Sequence, residues 1–173
     1  SPFESQEETS NEIWKLVLQN LTEFDESDRF STLVGFQYSG DAAKEGVRHL
    51  IYSKDNKTLL RKKDPKYSSL SKIYKSFSPK ELISIPTFSM GKGFDFDFKN
   101  FEPEYERVVE IYNAWGSSEL TKKEGNRRPI SGSGKNTVQE SAEGSIQKAL
   151  LKNCRFGFAA GGLDDRGVYS AFF

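Results

Sequence analysis

The sequence contains only one cysteine, Cys154, and one histidine, His49, among its 173 residues. A single cysteine excludes an internal disulfide and any zinc site built from a cysteine cluster, so we expect the thiol to be a small core side chain. No apolar run approaches the roughly 20 residues that a membrane-spanning helix needs. The sequence therefore predicts a soluble chain. Its compartment is left open, with the cytoplasm favoured.

Net charge is also absent, because 25 Lys and Arg residues balance 25 Asp and Glu residues. Domains that bind nucleic acid usually have a net basic excess. The local basic run 61–63 is interrupted by Asp64 and Pro65 and has no interleaved aromatic residues. We therefore expect neither a nucleic acid nor a membrane as a partner.

Aromatic residues, in contrast, are plentiful at 13% of the chain, and they compensate for a modest hydrophobic content of 35%. Apolar periodicity, the Thr9–Glu12 capping box and the turn residues define the elements. They predict helices over 10–24, 70–77 and 143–152, and strands over 30–38, 47–53, 82–86, 107–112 and 155–160. Strands that alternate with helices are typical of βαβ units. We therefore predict an α/β fold with one mainly parallel sheet and flanking helices.

The chain is predicted to be a single partial domain over 1–173. It starts at Ser1 without a methionine and stops at aromatic Phe173, which suggests a fragment of a longer protein. Residues 117–142 are predicted to form a flexible loop, because they lack periodicity and include Gly132-Ser133-Gly134-Lys135. That run does not match a phosphate-binding loop, since Pro129 occupies the position of the first glycine.

Asp95 and Asp97 alternate with three phenylalanines, so in an extended conformation both carboxylates would share one face. Two carboxylates at this spacing are compatible with a divalent-ion site. They are equally compatible with an edge segment that has one wet face and one buried aromatic face.

Polar side chains follow several predicted strands at their carboxyl ends, where α/β proteins gather functional groups. They are Gln37, Thr87, Asn113, Asp164, Asp165 and Arg166. Ordinary termination of the strands explains the same residues. His49, in an apolar strand, is either a hydrogen-bonded structural residue or a ligand.

At these positions the chain resembles the PHP superfamily, the polymerase and histidinol phosphatase type of metal-dependent phosphoesterase, in a branch classed as a domain of unknown function. The resemblance covers about residues 11–167 and is carried by five blocks in the same order and spacing. The blocks are Phe30 to Gly40 with Gly46-Val47-Arg48-His49, Leu82 to Thr87, Val109 to Glu119, Ser145 to Leu150, and Arg155 to Gly167. It implies a distorted (β/α)7 barrel with two or three metal ions, of which this chain supplies the C-terminal part.

The chain departs from the family at most of the metal ligands. Gln37 replaces a glutamate and Thr87 a histidine, and Leu163 and Asp165 replace the closing aspartate and histidine. His49 is retained. A shift of one residue in the alignment would place Asp164 at the aspartate position. Such a set is too small for a divalent ion, so no cofactor is expected.

The resemblance therefore implies a metal-depleted, non-catalytic scaffold or ligand-binding fragment of a PHP-like partial barrel. The alternative is a metal-dependent phosphoester hydrolase, using zinc or manganese at His49, Asp164 and Asp165 with residues from an N-terminal half not in this chain. A third possibility is a structural remnant without a ligand. Glu110, Asn113 and Arg166 complete the candidate rim. The expected partner is the N-terminal half of the barrel or a second copy of the chain.

Overall fold

The computed structural model describes residues 9–26, 28–40, 44–53, 58–133, 136–161 and 171–172. Three α-helices and nine strands lie within these ranges. The helices are α1 (Asn11–Phe24), α2 (Leu70–Ser76) and α3 (Ile146–Leu151). The strands are β1 (Gly35–Ser39), β2 (Val47–Tyr52), β3 (Leu82–Thr87), β4 (Val108–Asn113), β5 (Gly116–Ser117), β6 (Gly132–Ser133), β7 (Asn136–Thr137), β8 (Gly157–Ala160) and β9 (Ala171–Phe172).

Each predicted helix and strand overlaps an observed element, with small differences at the ends. β1 begins at Gly35 rather than at residue 30, and a 3-10 turn, Ala142–Gly144, replaces the first part of the third predicted helix. The N-cap of α1 is Ser10 rather than Thr9, because the Ser10 side chain accepts a hydrogen bond from the Ile13 amide at 3.2 Å.

The prediction of one mainly parallel sheet within a partial barrel is wrong. The strands form a three-stranded sheet in the order β1-β2-β3, a four-stranded sheet in the order β5-β4-β8-β9, and the β6-β7 hairpin. The first sheet is antiparallel throughout, and β4 with β8 is the one parallel pair among the described strands. The connection from β1 to β2 explains the error, because it spans residues 40–46 and a parallel crossover needs a dozen residues or more.

The two faces of the first sheet have different surroundings. On one face, Leu50 and Leu82 pack with Ile73 of α2 in a buried cluster. The other face carries the row formed by Gln37, His49 and Ile85, which are direct cross-strand partners. Side chains alternate between faces along a strand, so β2 places neighbouring residues in two unrelated environments.

The second sheet is divided in the same way. Val109 of β4 packs with Ile146 and Ala149 of α3 in a buried cluster that also contains Phe96 and Phe98. Glu110, the next residue of β4, points to the opposite side. It is paired in register with Ala159 of β8.

Helix α1 makes little contact with either sheet and has no fully buried residue. Its Trp14 ring packs edge-on against Phe36 at 5.8 Å between centroids, and Thr32 Oγ1 donates to the Leu21 carbonyl at 3.1 Å. Ile13 and Phe24 are 55% and 63% exposed. Within the described ranges, neither this helix nor another has the length and apolarity required to cross a membrane.

The stretch predicted as a flexible loop, residues 117–142, contains the β6-β7 hairpin and a 3-10 turn at Lys122–Glu124. Ile130 of this stretch is buried against Trp115 and Met90. Its backbone amide donates to the Ser117 carbonyl at 3.1 Å.

Candidate ligand-binding cavity

Two strands of the first sheet bring Gln37 and His49 side by side. These residues are directly opposite in the antiparallel β1-β2 pair, where the Cβ atoms of such partners are about 4.5–5.5 Å apart. Ile85 of β3 continues the row beyond His49. The sheet register therefore creates a polar pair beside an apolar side chain on one face.

The ends of β3 and β4 add a second polar group centred on Glu110. The Thr87 hydroxyl donates a hydrogen bond to Glu110 Oε2, and Asn113 Nδ2 donates to the same oxygen at 2.8 Å. Asn113 is fixed in turn, because its Oδ1 accepts from the Trp115 amide at 2.9 Å. Glu110 is therefore held in one orientation with Oε2 occupied.

Gln37, His49 and Glu110 line one cavity of about 370 Å³, which we call the inter-sheet cavity. Its other walls are apolar or lack a side chain. They are formed by Leu33, Gly35, Phe36, Ile51, Ile85, Ala159, Ala160 and Gly161. A concave, mostly apolar cavity of 300–1,000 Å³ with a few convergent polar groups is typical of small-molecule sites.

The amide of Gln37 is incompletely satisfied. Its Nε2 atom is buried and has no hydrogen-bond partner among the residues that the structure describes. A buried donor without a partner costs about 1–3 kcal/mol. Rotation of this amide toward an acceptor inside the cavity would recover that free energy.

Burial acts on the two ionisable groups of the cavity in the direction that reduces their charge. It lowers the pKa of His49, because desolvation favours the neutral imidazole. It raises the pKa of Glu110, and the hydrogen bonds from Thr87 and Asn113 oppose that rise by stabilising the carboxylate. The cavity therefore combines an uncharged imidazole with a carboxyl group whose charge depends on what lies beside it.

The metal ions that the PHP resemblance implies do not fit the described side chains. Gln37 supplies a neutral amide, and the Thr87 hydroxyl is already engaged by Glu110. In the part of the chain that the structure describes, no group of three or more His, Cys, Asp or Glu side chains could hold a metal ion. No chemical step is therefore assigned to a metal.

The structure brings together five of the candidate residues named from the sequence: Gln37, His49, Thr87, Glu110 and Asn113. Leu163, Asp164, Asp165 and Arg166 lie outside the described residues.

The two aspartates considered as a divalent-ion site have separate partners. Asp95 accepts from Ser141 Oγ at 2.8 Å, and Asp97 pairs with Lys99 at 2.8 Å. The rings of Phe96 and Phe98 are buried. The arrangement is that of a wet face and a buried aromatic face, although the segment is not a regular strand.

Comparison with known proteins yields three similar chains, all from Chlamydia and all described as uncharacterised proteins. The identities over all 173 residues are 51% for Chlamydia pneumoniae, 48% for Chlamydia trachomatis serovar D and 49% for Chlamydia muridarum. The chain spans about a quarter of the length of these relatives, 27% of each. No family model matches. No solved structure matches either.

Sequence reasoning missed the apolar walls of the cavity and the buried partner of Arg48. The alternation of Gly35 with Gln37, and of His49 with Ile51, was a usable signal, because it places these residues on one face of each strand. Arg48 Nε donates to Glu106 Oε1 at 2.7 Å, and both side chains are fully buried. No local sequence pattern indicates this ion pair, because Arg48 and Glu106 lie 58 positions apart in the chain.

Proposed function

We propose that this chain is a non-catalytic module that binds a small organic molecule in the inter-sheet cavity. The observation that carries the proposal is the meeting of Gln37, His49 and Glu110 in one mostly apolar cavity of about 370 Å³. The Nε2 atom of Gln37 supports it, because this buried donor has no hydrogen-bond partner among the described residues and belongs to a side chain that lines the cavity.

A hydrolytic role has less support from the same residues. Hydrolysis of a phosphoester at a metal site needs ions that polarise the phosphoryl group and activate water. Among the described side chains the cavity has one carboxylate and one imidazole, which is too few for a dinuclear centre. Phosphoester hydrolysis is therefore the competing hypothesis, and the experiment described next also tests it.

The experiment is a ligand-observed NMR screen of small organic fragments against the purified chain. A cavity-filling variant, Ala159→Leu, reports where the fragments bind, because Ala159 lines the cavity and is the register partner of Glu110. Ala114→Leu is the matched control, since Ala114 lies exposed in the turn after β4. We expect Ala159→Leu to abolish fragment binding and Ala114→Leu to leave it unchanged.

Fragment binding that survives Ala159→Leu, or no binding at all, would overturn the proposal. A parallel assay adds manganese or zinc and measures phosphodiester turnover. Turnover that is lost in His49→Ala would show that the chain is an enzyme.

Association with another polypeptide, or with a second copy of this chain, stays a prediction. The exposed apolar side chains of α1 supply surface for it, and Phe24 borders an open groove of about 610 Å³ shared with Phe30 and Leu33. Sedimentation velocity over a concentration series measures self-association directly. A single monomeric species at all concentrations would exclude the second-copy form.

A further inference from the structure

We infer that the inter-sheet cavity selects a monocationic amine with an apolar body. This inference rests on the proposed function and specifies the ligand class of the same site. It follows from the charges that line the cavity, from the free oxygen of Glu110 and from the shape of the apolar walls.

The described lining contains one acidic side chain and no lysine or arginine. Glu110 is 8% exposed, so a charge on it is poorly solvated. An anionic ligand would meet this carboxylate without a compensating cation, whereas an ammonium group would pair with it. Buried charges in proteins are paired as a rule, which favours the cation.

The geometry of Glu110 leaves one oxygen for such a partner. Both hydrogen bonds given to this carboxylate, from Thr87 and from Asn113, go to Oε2. Oε1 is therefore the acceptor that a ligand N–H group can use. The two donors also hold the carboxylate in place, so little side-chain entropy is lost when the ligand binds.

The neighbouring side chains do not compete for the carboxylate. Of the described residues that line the cavity, His49 on β2 and Glu110 on β4 are titratable, and desolvation lowers the pKa of His49. The imidazole is therefore neutral at pH 7 and forms no ion pair with Glu110, so the carboxylate is available to a cationic ligand.

The remaining walls determine what accompanies the amine. Leu33, Phe36, Ile51 and Ile85 surround the polar groups with apolar surface. A second positive charge on the ligand would find no carboxylate in the described lining, so dications are disfavoured. Gln37 can accept a second N–H or donate to an oxygen, because a primary amide does both.

The test uses three apolar skeletons, benzyl, cyclohexylmethyl and n-hexyl, each as the amine, the alcohol and the carboxylate. Dissociation constants are measured for the 173-residue chain at pH 7.5 by chemical-shift titration. The alcohol also donates to the carboxylate, so only the extra strength of the ammonium bond counts, and each amine should bind about tenfold more tightly than its alcohol. The carboxylates should bind most weakly.

Two variants locate the source of the preference. Glu110→Gln keeps the shape but removes the charge, and because Thr87 and Asn113 need an acceptor at the Oε2 position, the amide NH2 takes the position of Oε1. The amine should therefore lose its advantage over the alcohol. Glu104→Gln is the matched control, because Glu104 is exposed and is not one of the residues that line the cavity. The Glu104→Gln variant should prefer amines over alcohols by the same factor as the unaltered chain.

The outcomes separate this inference from the proposed function. Binding of alcohols or carboxylates that equals or exceeds binding of amines would overturn the amine selection while leaving the ligand-binding function in place. No binding by any of the nine compounds would overturn both. The comparison of head groups uses the unaltered chain, so it holds even where Glu110→Gln fails to fold.

Discussion

The two faces of β2 show how neighbouring residues of one strand can serve different purposes. Arg48 points to the side of α2, where its guanidinium pairs with Glu106 and lies 4.0 Å from the centroid of the Phe96 ring. His49 points to the other side, where it lines the inter-sheet cavity beside Gln37. One face holds a buried ion pair and its hydrogen bonds, in which Arg48 Nη2 alone lacks a partner among the described residues. The other face presents polar groups to open space.

The difference separates polar groups that support the fold from polar groups available to a ligand. On the Arg48 face, the Tyr74 hydroxyl donates to Glu106 Oε1 at 2.9 Å and lies 2.7 Å from Ser84 Oγ. On the His49 face, the Gln37 amide nitrogen has no hydrogen-bond partner within the described ranges. Stability should therefore fall when the first face is altered, and rise when the second face is made apolar.

The largest effect is expected for Glu106→Gln. The substitution leaves the charge of Arg48 fully buried without its carboxylate partner, which typically costs about 3–5 kcal/mol. Urea unfolding measures the change in the free energy of unfolding. Glu104→Gln, an exposed change, should alter it by less than about 0.5 kcal/mol. A loss at Glu106 no larger than this control would contradict the structural role of the pair.

Removal of one hydroxyl on the same face should have a smaller effect. Tyr74→Phe deletes the donor to Glu106 but keeps the ring, which stacks on Tyr105 at 4.3 Å between centroids. We expect a loss of about 1–2 kcal/mol in the free energy of unfolding, since Glu106 is a charged acceptor. Tyr112→Phe is the control, because the structure gives no hydrogen bond to that hydroxyl in the described part of the chain. Equal losses of unfolding free energy in Tyr74→Phe and Tyr112→Phe would show that the hydrogen bond from Tyr74 does not stabilise the fold.

The opposite sign is expected on the cavity face. Gln37→Leu removes a buried amide nitrogen that has no partner, so the free energy of unfolding should rise by about 1 kcal/mol. Fragment binding should weaken in the same variant, because a polar contact is lost. Gln19→Leu on exposed α1 is the control for adding a leucine. Destabilisation by Gln37→Leu would mean that this amide is satisfied within the fold, and the contrast between the faces would fail.

The smallest effect is expected for the contribution of His49 to the pH dependence of the free energy of unfolding. Burial lowers the pKa of His49 in the folded chain, so the unfolded chain binds the proton more readily, and stability falls as the pH drops below about 6.5. In His49→Gln this loss is absent, while the other ionisable groups remain in both proteins. Urea unfolding between pH 7.5 and pH 5 should therefore give a shallower decline for the variant. Parallel curves would show that the imidazole is not desolvated.

Local sequence patterns located the elements well but did not determine how they pair. The aromatic and β-branched run that ends at Ser39 and the apolar run from Val47 identified β1 and β2. The alternation of strands with helices suggested parallel pairing, although the β1-β2 connection is too short for a crossover. The length of that connection was the overlooked signal.

The candidate site was partly accessible from the sequence. The polar residues at the predicted strand ends and in the apolar strand include five that meet in the structure: Gln37, His49, Thr87, Glu110 and Asn113. What was missing was the reason for their proximity, because antiparallel register rather than a common strand-end rim joins Gln37 to His49. The apolar walls were missed as well, since Ile51, Ile85 and Ala159 look like ordinary core residues in the chain.

The sequence by itself determined which segments form helices and strands, and which of their positions are polar. Those properties depend on periodicity within a few residues, and each segment carries its own pattern. Only the tertiary structure decided that Glu110 faces Gln37 and His49 across a cavity, while Arg48 is joined to Glu106. Contacts of this kind link residues far apart in the chain, and they depend on sheet register and loop closure rather than on local pattern.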